Sequence, residues 1–224
     1  MMLNKERILL ANIKAQSSSV RAIKLTIPLD KALDLEQLRL VVTWDDAAYP
    51  SIDALLCFFF GAGTFHNRDK KEYLVKSFPD NIWFDYLNRK VELGCYFPMP
   101  FFKSVRFELA GTKLDISEIS YEIRFEPLKS PAKYNSYFHT IYKDIPTPEP
   151  RKDMVFLDTE EKEGQKEWSG SLVGTSFIFS HDGILTTLEV DPRFFFDDSK
   201  LPQAYGIGTE EWGGDGNYWE EERI

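Results

Sequence analysis

The chain has 224 residues, 43% of them hydrophobic and 28% charged, an ordinary balance for a globular protein able to bury one large core or two smaller layers. Its 27 Lys and Arg stand against 36 Asp and Glu, and the resulting charge of -9 repels a phosphate backbone, which excludes nucleic acid as the expected partner. With 18 Phe and 10 Tyr the aromatic share reaches 15%, and aromatics favour pleated, half-buried surfaces.

From the N-terminus, "MMLNKERILLANIKAQSSSVRAI" has an apolar stretch broken by Asn12 and Lys14. That is a poor secretory signal and reads instead as a first strand entered from a polar terminus, so a cytoplasmic location is expected. No apolar run approaches the roughly 18 residues of a spanning helix, and no membrane partner is expected. "AIKLTI" is a strand candidate, "LDLEQL" allows one short helical turn, and in "LRLVVTW" Leu38, Leu40, Val42 and Trp44 alternate onto one face. "SIDALLCFFF" fits either a buried strand or a helix start capped by Ser51. Cys57 and Cys95 lie in aromatic surroundings that suit buried free thiols. "YFPMPF" is a proline-clamped aromatic strand end suited to core and interface.

Further along, "VRFEL" alternates Val105, Phe107 and Leu109 with Arg106 and Glu108, and "ISYEIRFE" alternates Ile119, Tyr121, Ile123 and Phe125 with Ser120, Glu122, Arg124 and Glu126. Both read as amphipathic strands with one wet face. "KDIPTPEPRKD" must be extended and cannot be a central strand, and "DTEEKEGQKEWSG" reads as a solvated loop. "SLVGTSFIFS" continues the strand series, while "GTKLD", "SHDG" and "DPRFFFDDS" punctuate it as turns. The pattern predicts an all-β protein, a β-sandwich of jelly-roll type.

Phosphate-gripping glycine loops, HExxH, paired CxxC and a GxSxG elbow are absent, and the three histidines are far apart, so no metal and no cofactor is assigned. Carboxylates remain. Glycoside hydrolysis needs two of them, about 5 to 10 Å apart, one to protonate the leaving oxygen and one to attack or to activate water. Glu189 ends the apolar stretch "TTLEV", whereas Glu210 in "GIGTEEW" follows small residues that permit close approach and precedes Trp212, which can stack on a sugar ring.

The stretches "LRLVVTWDDAAYPSIDALLCFFFGAG", "CYFPMPFFKSVRFELAG", "YFHTIY", "SGSLVGTSF" and "LEVDPRFFFDDSKLPQAYGIGTEEW" occur in the order found in the domain of unknown function 2961 family, also described as glycoside hydrolase family 172. The chain resembles that family over roughly residues 20 to 213. The resemblance implies two jelly-roll sandwiches, here 1–145 lacking the family's N-terminal part and 146–224 as the start of a second one cut short. It implies assembly into homo-trimers or hexamers and retaining cleavage or formation of α-linked fructofuranosides or arabinofuranosides, a furanoside being the ligand. Glu189 and Glu210 occupy the positions of the catalytic pair, with the division into nucleophile and acid/base left open. Glu211, Trp212 and His139 fall among substrate-binding residues, although His139 also suits a satisfied core histidine.

Two departures from the family pattern bear on activity. Thr186, Thr187 and Leu188 replace the Trp-Trp-Gly before the first glutamate, and Leu56-Cys57 replaces a Gly-Asp whose carboxylate can hydrogen-bond sugar hydroxyls. These motivate a second expectation, a degenerate, non-catalytic carbohydrate-binding protein or a structural double-jelly-roll assembly protein.

Overall fold

The computed structural model describes residues 6–111, 118–146, 149, 151–159, 169–179 and 189–208. The chain divides into two compact units, Met1–Ser176 and Phe177–Ile224. In the first, ten strands form an all-β antiparallel sandwich: β1 Glu6–Lys14, β2 Ser18–Pro28, β3 Arg39–Trp44, β4 Ile52–Leu55, β5 Tyr73–Lys76, β6 Asp80–Asp85, β7 Lys90–Cys95, β8 Met99–Phe101, β9 Ser104–Gly111 and β10 Ser120–Pro127. One sheet has the order β1-β9-β3-β4, the other β10-β2-β7-β6-β5 with β8 beside β2. Two four-residue helices, α1 Ala32–Leu35 and α2 Leu56–Phe59, are inserted, and neither is long enough to cross a membrane.

The core lies between the sheets, where alternation in each strand supplies its apolar half. Leu40, Val42, Trp44, Val105, Phe107 and Leu109 face Ile23, Leu25, Ile27, Ile82, Leu93 and Phe101, all at most 2% exposed. Trp44 meets Phe107 edge to face at 6.3 Å. Both cysteines are free and buried.

Three local expectations change in the folded chain. "SIDALLCFFF" is a strand that turns directly into a helix: β4 ends at Leu55, α2 begins at Leu56, and Ser51 instead precedes the strand, its N–H bonded to Val42 O. The wet face expected for "VRFEL" is wet at Arg106 but covered at Glu108. β9 is central, paired with β1 and β3, and Glu108 is buried beneath Arg7 and Arg106 at 3.5 and 3.3 Å. The described part of "SLVGTSFIFS", residues 171–179, forms no strand: it makes no ladder with the other described residues, and Leu172 and Val173 stay exposed.

The described part of the second unit is a small hairpin. β11 Arg193–Phe194 pairs with β12 Ala204–Tyr205 in the register Arg193↔Tyr205 and Phe194↔Ala204. The Gln203 N–H donates to Phe194 O at 2.8 Å, and the Gly206 N–H to Pro192 O at 3.0 Å. Asp197 and Asp198, both at positive φ, reverse the chain between the strands. "DPRFFFDDS", expected as a turn, therefore supplies one hairpin strand as well.

Candidate functional site

Five of the family-like motifs, far apart in sequence, converge within the first unit. The chain leaves β3 through Trp44 into a tight turn closed by the Ala47 N–H on Trp44 O at 2.9 Å, with Asp45 and Asp46 at φ 49° and 56°. Aspartate tolerates this left-handed conformation better than most side chains. The turn aims the Asp45 carboxylate at the start of β9, where it accepts from the N–H groups of Phe102, Lys103 and Ser104 at 2.7 to 3.1 Å. Tyr137 Oη donates to the same carboxylate at 2.6 Å.

Burial by itself raises the Asp45 pKa. The Tyr137 hydroxyl and the Ser104, Lys103 and Phe102 N–H groups outweigh it and hold the carboxyl below its ordinary value. Reciprocally, burial first and then the bond to Asp45 push the Tyr137 phenol up to about 12. Asp45 is therefore an ionised latch that ties "TWDD" to "SYFHTIY", with all its acceptor capacity spent on structure.

The segment 137–142 is fastened along its length. Trp44 Nε1 donates to Phe138 O at 2.8 Å, and the Thr140 N–H to Ser51 O at 3.1 Å. Phe138 packs on Phe97 of "YFPMPF" at 5.4 Å, and Tyr142 on Phe58 of α2 at 5.3 Å. Downstream, Ser176 Oγ donates to Gly61 O at 3.4 Å, and a Cβ on Gly174 would lie 3.3 Å from the Phe97 ring. The motifs "WDD", "FFGAG", "YFPMPF", "YFHTIY" and "GTS" thus form one patch of interlocked backbone and aromatic rings.

His139 lies on this patch, exposed at the surface, so the core alternative for it does not apply. Crowding by the surrounding chain lowers its imidazole pKa, desolvation being the cause, which favours the neutral ring. Cys57 points inward, its Sγ 3.6 Å from both Glu36 O and Gly63 O, either of which can accept its one S–H. Burial, then the nearby Glu36 charge, pushes the thiol up to about 11, so it carries no nucleophile at neutral pH.

Glu189 is exposed in the second unit, just before the hairpin. Glu210, Glu211 and Trp212, like Thr186 to Leu188, lie outside the described residues. Among the described residues no group of three or more His, Cys, Asp or Glu is arranged to hold a metal ion.

A family profile described as GH172 domain-like matches residues 4–122, just over half of the chain and most of the sandwich. Neither Glu189 nor Glu210 falls within the matched residues. No curated protein matches the chain.

Proposed function

The chain belongs to the GH172 domain-like family, a glycoside hydrolase relationship, and from that premise we propose that it acts on α-linked furanosides with Glu189 and Glu210 as the reacting pair. The observation that carries this reading is the match to the family over residues 4–122, beyond which the chain continues with "LEVD" and "GIGTEE" in the family-like order, their glutamates twenty-one positions apart. A retaining pair requires its two carboxyl groups about 5 Å apart.

In such a pair one carboxylate attacks the anomeric carbon as the glycosidic C–O bond breaks, while the other, protonated, gives its proton to the departing oxygen. Water then attacks the glycosyl-enzyme, its proton passing to the second carboxylate, and the sugar leaves with its configuration retained. The acid is whichever glutamate has the drier or more negative surroundings, since both raise its pKa. His139, neutral and exposed on the motif patch, is suited to hydrogen-bond a sugar hydroxyl, and Trp212 to stack on the ring.

Turnover of an aryl α-arabinofuranoside or a difructose anhydride tests the reading. Glu189→Gln and Glu210→Gln should each lower the rate by about 100-fold or more. Unchanged rates in both variants would sink it. A second reading, carbohydrate binding without hydrolysis, draws on Cys57: where the family pattern implies a sugar-contacting aspartate, this chain buries a thiol on two backbone carbonyls. That reading expects furanoside binding by calorimetry with no product from the unaltered protein.

A further inference from the structure

Four strands bound the two sheets, and three of them carry devices that discourage pairing with another chain. β4 has only four residues; β1 is bulged at Leu10, between Leu9 and Ala11; β5 is bulged at Leu74, between Tyr73 and Val75, and ends on Lys76. β10 is different. It runs eight residues without interruption, since the extra residue in its pairing with β2 is Arg21, on the β2 side. Among the described residues β2 is its sole ladder partner, and seven of its eight residues are exposed. Tyr121 and Phe125 leave 46% and 45% of their surface in water, on the side of the strand that faces the core elsewhere in the sheet.

We propose that the free edge of β10 pairs antiparallel with β10 of a second copy about a two-fold axis at Ile123. In that register seven of its eight residues pair with opposite charges facing one another; centred on Phe125, Arg124 would also meet Glu126, but only five residues would pair. Centred on Ile123, Glu122 stands opposite Arg124 of the second copy, Tyr121 opposite its Phe125, and Ile123 opposite its twin. Centred one residue later, Arg124 would face Arg124 and Glu122 would face Glu126, all like charges. A half-residue centre would set the apolar side of one strand against the charged side of the other.

In the single chain Arg124 Nε already bonds Glu122 along the strand, so the ion pair has only to exchange partners across the axis. Tyr121 Oη donates to Leu10 O of β1, which pins this edge to the facing sheet. Pairing satisfies the outward backbone groups and joins two six-stranded sheets into one. The inference stands on β10 alone and is independent of the glutamate pair.

Sedimentation velocity across micromolar concentrations should show a dimer, or a larger assembly with an even number of chains. Arg124→Glu places like charges opposite each other twice per axis and should weaken the association about tenfold. Exchanging both charges, Glu122→Arg with Arg124→Glu, restores opposite charges in the same register and should recover the assembly, which a merely structural role for Arg124 would not produce. Ile123→Cys should give a disulfide-linked pair of chains under mild oxidation, since Cys57 and Cys95 are buried and do not compete. A monomer at every concentration, or an assembly indifferent to Arg124→Glu with no cross-link at position 123, overturns the proposal.

Discussion

β9 and β10 have nearly the same local pattern, three apolar residues alternating with charged ones, yet they meet opposite fates. In β9 Val105, Phe107 and Leu109 are fully buried, and even Glu108 is covered, because strands lie on both flanks and two arginines fold over it. In β10 the corresponding Tyr121 and Phe125 are nearly half exposed. Alternation decides which side of a strand is apolar; rank within the sheet decides how much of that side is removed from water. Only the second makes a strand a core element or an interface.

The comparison is sharpest when the same truncation is made in both strands. Phe107→Ala should cost about 3–5 kcal/mol in denaturant unfolding, as for a packed core aromatic, whereas Phe125→Ala should cost about 1 kcal/mol. Equal losses would mean that β10 is as enclosed as β9 in solution and would deny it a free edge.

A smaller effect is expected at the latch that starts β9. Asp45→Ala leaves three N–H groups and the Tyr137 hydroxyl without their acceptor and should cost roughly 2–3 kcal/mol. The sign with pH follows from the direction of each shift. Asp45 is more acidic folded than unfolded, so its contribution is fully present above the ordinary carboxylate value of 3.8 and is lost as pH falls through the lowered folded value. Asp45→Asn, which also tolerates the left-handed turn, should flatten that part of an acid-unfolding curve.

The smallest effect belongs to Tyr137→Phe, about 1 kcal/mol at neutral pH. Tyr137 has its pKa raised, so its contribution is present below the ordinary phenol value of 10.0 and disappears as pH rises through about 12. Removing the hydroxyl should erase that alkaline slope without changing the acid limb above the carboxylate range. An unchanged alkaline slope would show that the 137–142 segment does not hold Asp45 in solution.

Much of the sandwich was legible beforehand because each strand must present one dry side, and a period of two records that demand in the residues themselves. β2, β3, β9 and β10 were visible in this way. The switch from β4 to α2 was not, because "ALLCFFF" is apolar throughout and carries no period. "SLVGTSF" has the composition of a strand but forms no ladder with the other described residues, and composition is silent about neighbours. At the candidate site, Glu189 and His139 were singled out from family-like motifs rather than from spacing, and the Asp45–Tyr137 latch was missed. The paired aspartates after Trp44 signal a turn. Nothing local joins them to a tyrosine 92 positions away.

By itself the amino-acid sequence determined the β class, the apolar side of β3, β9 and β10, the burial of both thiols and the family, since these depend on residue type, on spacing within a few positions and on motif order. Tertiary structure alone decided that, among the described residues, β9 is central and β10 an edge, and that Asp45 is spent on backbone N–H groups. Each of these is a relation between segments distant along the chain or joined by a specific register. Such relations are set by which surfaces exclude water from one another, not by any residue's own preference.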